Sequence, residues 1–276
     1  MAKLNNLTKP ELVDLYLNQK KSTGDIARLY GVSRTAVHKK LNKYGIAQRT
    51  KSEARIEAQK QGKLPQKFFD INDNFFTKWS PEMGYVLGLI ITDGCVSKAG
   101  TVSLCMNDLE LIEKVKKVMG SEHKITPSKH QKGLYYFHFA RERLVSDLKG
   151  LCVVPRKSLT VKFPIVPQEY MPDFIRGVFD GDGSVFFDKR QPNFPLRSKF
   201  VSGSKDFIQG LENSLALLGM PKRTIYKQKT KNGWSYMFIY AHKDSQKLFN
   251  TLYGNAQNGL FLERKYRRFL EGLEKA

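Results

Sequence analysis

The chain has 276 residues, of which 41% are hydrophobic, and this is enough for two domains with buried cores. Its 47 lysine and arginine residues against 26 acidic residues give a formal net charge of +21, which favours a polyanionic partner such as nucleic acid. No signal peptide and no apolar run of membrane length is present, so we expect a cytoplasmic or organellar protein without a membrane partner.

Residues 1–47 predict a small helical domain. Residues 22–25 have the spacing of a capping box and would begin a short helix. Gly31 would end that helix, and Ser33 would begin a second one that continues to about Lys43. The apolar stripe shared by the two helices would consist of Ile26, Ala27, Leu29, Tyr30, Val37 and Leu41. This arrangement is typical of a helix-turn-helix.

The second of these helices would present side chains suited to DNA bases and phosphates. The residues assigned to this contact are Ser33, Arg34, Thr35, His38 and Lys39. A helical hairpin used only for packing is the alternative. The excess of basic residues up to position 67, 15 against 5 acidic, favours DNA binding. Residues 48–67 are interpreted as a basic linker, at most partly helical and suited to following a DNA backbone.

An internal duplication follows, with one copy over residues 68–154, a bridge over 155–167 and a second copy over 168–276. Each copy predicts the order helix, two strands, helix, two strands, helix. The predicted strands are 95–98, 101–106, 124–128 and 134–140 in the first copy and 184–187, 198–202, 224–229 and 234–240 in the second. The helices between and after them are 108–120, 141–151, 205–218 and 243–253. Asp108 would cap the first of these helices, and Asn232-Gly233 is a strong hairpin signal.

Each copy begins with an apolar run that has glycine in its third position and ends in Asp-Gly, over residues 86–94 and 175–183. Gly88 and Gly177 would let two helices pack closely, because a missing side chain allows backbones to approach. The glycines after Asp93 and Asp182 are expected to end the helices with a positive φ. The two carboxylates would then lie side by side, where they raise one another's pKa or share cations such as Mg²⁺.

These two stretches closely resemble the signature of the LAGLIDADG homing endonucleases, in the form that carries two copies on one chain. The family's metal-binding acid falls on Asp93 and Asp182, and the residue whose carbonyl helps to hold metal falls on Thr92 and Gly181. The second copy follows the signature closely. The first has Ile91 where the family often has Asp, and Thr92 where it often has a small residue.

The resemblance implies an α+β fold of two pseudo-symmetric αββαββα repeats, forming a saddle of antiparallel sheets around the paired motif helices, beside the small all-α helix-turn-helix domain. It also implies a monomer that cuts double-stranded DNA at a long asymmetric site with Mg²⁺, or with Mn²⁺ in its place. Each half would cut one strand across the minor groove, leaving short 3′ overhangs.

The resemblance further implies a lysine near each scissile phosphate, and the repeated Arg-Lys pairs place these at Lys157 and Lys265. Lysines that satisfy helix-end carbonyls are the alternative. The strands and turns supply a second group of basic residues expected to face DNA. This group consists of Lys98, Lys129, Lys132, Lys189, Arg190, Arg197, Lys199, Lys227, Lys229 and Lys231.

Two other functions stay open at this point. A DNA-binding regulator, or a maturase that binds intron RNA, would use the same scaffold without cleavage, although neither needs both acids and both Arg-Lys pairs. A structure in which the Asp-Gly pairs only end helices is disfavoured by the repeated layout. Cys95, Cys105 and Cys152 lack the spacing of a zinc site and are interpreted as buried thiols.

Overall fold

The computed structural model describes residues 7–63, 69–155, 157–190, 195–231, 233–256 and 258–274. The chain divides into two compact units, residues 1–68 and 69–276. Among the described residues, none of the helices combines the length and the apolar character needed to cross a membrane.

The first unit is entirely helical. Its helices are α1 (Lys9–Val13), continued by a π-helical turn over Asp14–Asn18, α2 (Thr23–Tyr30), α3 (Arg34–Lys43) and α4 (Lys51–Lys60). Helix α1 was not predicted from the sequence, although α1 contributes to the core. The buried apolar residues of the unit are Leu7, Leu12, Leu15, Tyr16, Ile26, Ala27, Val37, Leu41 and Ile46.

The predicted capping box and turn are present. The Ser22 hydroxyl accepts from the Asp25 amide, and the Asp25 carboxylate accepts from the Ser22 amide. Gly31 ends α2 with a φ of +61°. The placement of Leu29 in the apolar stripe is wrong, since 61% of this residue is exposed. Its neighbours at 26, 27 and 30 already fill the side of α2 that meets the core.

The described part of the expected linker, residues 48–63, instead packs on this unit through polar contacts. Arg49 lies over the Tyr16 ring, 4.2 Å from its centroid, and donates to the carbonyl oxygens of Tyr16 and Lys21 at 2.6 and 2.8 Å. Further along, the Lys63 ammonium forms an ion pair with Asp25 at 2.5 Å. Residues 48–63 contain few apolar residues, so apolar spacing did not indicate these polar contacts. Residues 64–67 of the expected linker lie outside the described residues.

The second unit contains the two predicted αββαββα repeats, which confirms the α+β fold. The first repeat consists of α5 (Pro81–Asp93), β1 (Gly94–Val96), β2 (Val102–Met106), α6 (Leu109–Val118), β3 (Ile125–Pro127), β4 (Tyr135–Phe139) and α7 (Glu142–Gly150). The second consists of α8 (Met171–Asp182), β5 (Ser184–Phe187), β6 (Leu196–Ser202), α9 (Lys205–Leu217), β7 (Tyr226–Thr230), β8 (Gly233–Tyr240) and α10 (His242–Tyr253). A further helix, α11 (Glu263–Leu273), was not predicted. Asn232 of the predicted hairpin lies outside the described residues.

Each repeat forms one antiparallel four-stranded sheet, with the orders β1-β2-β4-β3 and β5-β6-β8-β7. In the first sheet the pair Leu104 and Phe137 is buried, whereas the adjacent pair Ser103 and His138 lies on the opposite, more exposed face. We call this second side the exposed face of each sheet. The buried faces join the motif helices in one hydrophobic core that both repeats share.

The prediction of buried cysteines is wrong. Cys95 is exposed, and Cys105 and Cys152 are partly exposed. Alternation along β1 and β2 explains the first two, because Val96 and Leu104 take the buried face and leave both thiols on the exposed face.

Candidate active site

Glycines bring the two motif helices into close contact, as the sequence predicts. A Cβ added at Gly88 of α5 would overlap the carbonyl oxygen of Phe174 in α8. A Cβ added at Gly177 of α8 would overlap the carbonyl oxygen of Tyr85 in α5. Backbone meets backbone at both positions, so no side-chain movement would make room for a larger residue. The contact fixes the two helix ends relative to each other.

The expected positive φ after each aspartate is wrong, because Gly94 and Gly183 have φ of −88° and −71°. Glycine is required there for space rather than for a left-handed turn. A Cβ at Gly94 would lie 2.8 Å from the Cα of Ile90, and one at Gly183 would lie 2.5 Å from the carbonyl oxygen of Phe179. The chain therefore leaves each helix in an extended conformation and enters a strand directly.

Asp93 and Asp182 are the last residues of the paired helices and interact electrostatically. Burial, and then the charge of Asp182, raise the pKa of Asp93 to about 6. Burial also raises the pKa of Asp182, although this residue remains accessible at the surface. Lys265 and Lys157 oppose both shifts, so the two carboxylates and two ammonium groups form one electrostatic cluster.

Lys157 is 5% exposed and supports the first motif helix. It belongs to a short 3₁₀ turn over Lys157–Leu159, and its Nζ donates to the Gly94 carbonyl oxygen at 2.5 Å. Burial lowers the pKa of this lysine, whereas the charges of Asp182 and Asp93 act in the opposite direction. Its partner in the sequence pair, Arg156, lies outside the described residues.

Lys265, equally buried, lies near the start of α11 and supports the end of α8. Its Nζ donates to the carbonyl oxygens of Phe179, Asp180 and Gly181 at 2.7, 2.7 and 3.1 Å. Burial lowers the pKa of Lys265 to about 8. Both lysines thus make the helix-end contacts of the alternative interpretation while their charges act on both aspartates.

The two residues that precede the aspartates face each other. The Thr92 hydroxyl donates to the carbonyl oxygens of Gly88 and Leu89 at 3.2 and 3.0 Å, so it turns back along its own helix. A Cβ at Gly181 would overlap that hydroxyl. The larger residue of the first copy therefore fits because the second copy has glycine.

A buried polar network around Asp180 was not predicted from the sequence. This carboxylate accepts from the Tyr85 and Tyr253 hydroxyls at 2.9 and 2.8 Å and from the Leu262 amide at 2.8 Å. Burial raises its pKa, and these bonds oppose the shift. The exchange of Ile91 for Asp180 between the two copies was the available signal, because a charged residue at an apolar position requires partners.

Arg264 was also missed, although the repeated Arg-Lys pair contains it. Its guanidinium forms an ion pair with Asp108 at 3.4 Å, and its charge lowers the pKa of Asp93. Asp108 precedes α6 but makes no side-chain capping bond, contrary to the prediction. Its carboxylate is held toward Arg264 of the other repeat instead.

Comparison with known families settles the identity of the duplicated unit. A family model described as the LAGLIDADG-like domain matches residues 80–151 and 169–254, which is more than half of the chain. The chain belongs to this family. The two matched segments correspond to the two LAGLIDADG repeats of the fold.

One curated protein with sequence similarity is the probable translation initiation factor IF-2 of Methanocaldococcus jannaschii. It is 32% identical over a segment that covers 46% of this chain and 11% of that protein. The chain therefore spans about a tenth of the length of this relative.

Two solved structures are similar at lower identity. The homing endonuclease I-DmoI in complex with DNA and Mn is 18% identical, with 66% of this chain and 97% of that chain covered and a TM-score of 0.43. The meganuclease I-SmaMI bound to uncleavable DNA is 13% identical, with 71% and 89% covered and a TM-score of 0.46.

The donor set between the LAGLIDADG helices fits a hard divalent cation. The described residues contain no group of three or more His, Cys, Asp and Glu side chains arranged to hold a metal ion. Two carboxylates with backbone carbonyls are nevertheless sufficient for Mg²⁺, which keeps several water ligands. Burial and the charge of Asp182 raise the pKa of Asp93 to about 6, and a cation bound between the two carboxylates would oppose this shift.

The residues assigned to DNA in the first unit lie along α3. Arg34, Thr35, His38 and Lys39 are exposed on this helix. Ser33 is exposed too, but its hydroxyl accepts from the Ala36 amide at 3.2 Å and begins the helix.

The basic residues assigned in the LAGLIDADG repeats do not form one surface. Arg197 and Lys199 lie on the exposed face of the second sheet, where Lys199 pairs with Ile239. Lys227 and Lys229 pair with Tyr236 and Trp234 on the other side, so the four basic residues do not share one face of the sheet. Alternation along β7 requires this separation. The remaining residues are exposed in turns, namely Lys98, Lys129, Lys132, Lys189, Arg190 and Lys231, and Arg190 is paired with Asp188 at 3.0 Å.

Proposed function

We propose that this chain is a site-specific double-strand DNA endonuclease of the homing type, which hydrolyses phosphodiester bonds with Mg²⁺ or Mn²⁺. The observation that carries this proposal is the contact of the motif helices through Gly88 and Gly177. It brings Asp93 and Asp182 into one electrostatic cluster between two sheets. Membership in the LAGLIDADG family and the net charge of +21 support it further.

Asp93 and Asp182 would hold the cation through their carboxylates, together with the backbone carbonyls of Thr92 and Gly181. The cation would supply a bound water of lowered pKa and would neutralise negative charge on the phosphate. The chain's own part is to place the two carboxylates and to keep them ionised. Lys157 and Lys265 contribute to the second task, because their charges lower the pKa of both acids.

The two lysines would also stabilise the charge that develops on the phosphate. Each is anchored at the end of a motif helix, so its ammonium group is in place before DNA arrives. Arg264, held by Asp108 close to Asp93, adds a third positive charge on the side of α11. Each half of the site would cut one strand across the minor groove and leave short 3′ overhangs.

A long asymmetric target follows from the difference between the exposed faces of the two sheets. The first presents uncharged side chains such as Ser103 and His138, whereas the second presents Arg197 and Lys199. A β-ribbon in the major groove reads bases through such alternate residues. The two half-sites would therefore differ in sequence, and a monomer would suffice.

The helical unit would extend the recognised site through α3. Deletion of residues 1–67 should weaken binding and shorten the footprint while leaving the cut position unchanged. Footprinting and mapping of the cut ends check this expectation. A truncated chain that cuts at another position would show instead that the helical unit sets the register.

Digestion of a randomised or genomic DNA pool with Mg²⁺, followed by sequencing of the new ends, tests the function directly. The proposal predicts one long recurrent site with short 3′ overhangs and no ends in the presence of a chelator. Enrichment of a bound sequence without new ends would point to a regulator. Retention of intron RNA without DNA cleavage would point to a maturase.

A further inference from the structure

Gln48 folds back along the exposed side of the recognition helix α3 and contacts His38 there. The distance between the Gln48 Oε1 and the His38 Nδ1 is 2.5 Å. The Gln48 Nε2 donates to Asn42 Oδ1 at 2.6 Å and lies 3.3 Å from the carbonyl oxygen of His38. All three side chains are carried by the same helix and the turn that follows it.

These contacts determine which end of the Gln48 amide faces the imidazole. The NH₂ end of the amide donates to the His38 carbonyl oxygen at 3.3 Å, because a backbone carbonyl only accepts hydrogen bonds. The oxygen end is thereby directed at the imidazole. An amide oxygen also only accepts, so the His38 Nδ1 must be the donor.

A neutral imidazole with its proton on Nδ1 has an unprotonated Nε2. This nitrogen is therefore a hydrogen-bond acceptor, whereas the opposite tautomer would present a donor. In the major groove an acceptor pairs with the N4 amino group of cytosine or the N6 amino group of adenine. A donor would pair instead with the acceptor atoms of guanine or thymine, or with N7 of adenine. The tautomer thus decides whether the ring accepts from cytosine or donates to guanine and thymine.

We propose that Gln48 is a specificity-determining positioning residue, which fixes His38 in the Nδ1-H tautomer so that its Nε2 selects a base carrying an exposed amino group. The inference rests on the proposed function only in that α3 enters the major groove of the target. His38 is exposed on the same helix as Thr35 and Lys39, so its ring is accessible to a bound duplex.

The tautomer is measured in the free, full-length protein. Uniform ¹⁵N labelling of histidine and long-range ¹H–¹⁵N correlation at pH 8 report which ring nitrogen carries the proton, and His38→Ala identifies the signal. The inference predicts protonated Nδ1 and bare Nε2 in the parent. In Gln48→Ala the ring should shift to a mixture of the two tautomers. A parent ring with its proton on Nε2 would overturn the inference.

The effect on specificity is measured by binding selection from a randomised target with the full chain in Ca²⁺. Gln48→Ala should lower discrimination against guanine at one base pair by about tenfold, and His38→Ala should affect the same base pair. Lys39→Ala is the matched control and should weaken binding to all sequences alike. An unchanged profile for Gln48→Ala would overturn the inference.

Failure of the inference and failure of the proposed function give different results. Binding and tautomer are both measured without cleavage, so an inactive parent contradicts the endonuclease and leaves both measurements intact. A parent that cuts DNA while Gln48→Ala and His38→Ala keep its base preferences contradicts the role of the ring alone.

Discussion

The two LAGLIDADG repeats deliver equivalent residues to one site but support them differently. In the second repeat, Lys265 lies in an 11-residue helix and donates to three carbonyl oxygens at the end of α8. In the first, Lys157 lies in a three-residue turn and donates to the carbonyl oxygen of Gly94. The two repeats therefore share the buried lysine, but the local structure and the hydrogen bonds that hold it differ.

The motif helices differ in the same sense. Asp180 of the second helix is buried and accepts a hydrogen bond from Tyr85 of the first helix. Its counterpart Ile91 is a buried apolar residue. The second repeat thus adds a polar network that crosses the interface, which teaches that the two halves are specialised rather than interchangeable.

The largest expected effect is on cleavage. Asp93→Asn and Asp182→Asn should each reduce double-strand cleavage about 10²–10⁴-fold, since each removes a carboxylate that would hold the metal. DNA affinity should stay equal or increase, because repulsion between carboxylate and phosphate is relieved. Strand-resolved gels show whether each variant leaves a different strand uncut. Cleavage at the parental rate by both variants would reject the assignment.

The helix contact is tested by Gly177→Ala, which places a methyl group against the Tyr85 carbonyl oxygen. We expect a loss of about 3 kcal/mol in the free energy of unfolding, measured by urea titration. Gly150→Ala is the matched control, because nothing lies within 4 Å of its added Cβ. That variant should be neutral or slightly stabilised. Equal stability of the two variants would be incompatible with close packing of the motif helices.

The unequal lysine anchors predict unequal losses of stability. Lys265→Met leaves three helix-end carbonyls without their donor and should cost about 2 kcal/mol, whereas Lys157→Met should cost about 1 kcal/mol. Denaturant titration compares the two variants, and their nicking rates are measured in parallel. A greater loss for Lys157→Met would show that the first repeat, not the second, has the stronger support.

Stability should also depend on pH through Asp93. Its pKa is raised to about 6 in the folded protein, so the protonated form stabilises the fold at low pH, and this contribution is lost as pH rises through that value. In chelator, Asp93→Asn should therefore be more stable than the parent at pH 7.5, by about 3 kcal/mol. The difference should vanish near pH 4. Thermal unfolding of both proteins at both pH values checks this prediction. A parent that is more stable than Asp93→Asn at pH 7.5 would contradict it.

Much of this architecture is predictable because local patterns specify it. The alternating strands, the capping box at Ser22 and the glycine-containing motif helices each depend on neighbours in sequence. The helix contact through Gly88 and Gly177 was also predictable, because a glycine among large apolar residues of a helix indicates close approach of another backbone. The motif itself also marked Asp93 and Asp182, the carboxylates proposed to hold the metal.

Contacts between distant residues were not predictable in the same way. Tyr85, Asp180 and Tyr253 meet only after both repeats have folded, and nothing near any of them in sequence indicates its partners. Arg49 and Lys63 joined the helical unit through carbonyl and carboxylate contacts that an apolar pattern does not record. The position of Lys227 depended on strand register, which the lysine-rich composition left undefined.

The most direct test of the central claim is a measurement of the pKa of the Asp93 carboxyl group. ¹³C NMR titration in the presence of a chelator gives this pKa in the parent and in Asp182→Asn, which lacks the second charge. Paired carboxylates predict a value near 6 in the parent and a lower value in Asp182→Asn, because the repulsion is removed. An ordinary carboxyl pKa that is the same in both proteins would show that the two aspartates do not meet.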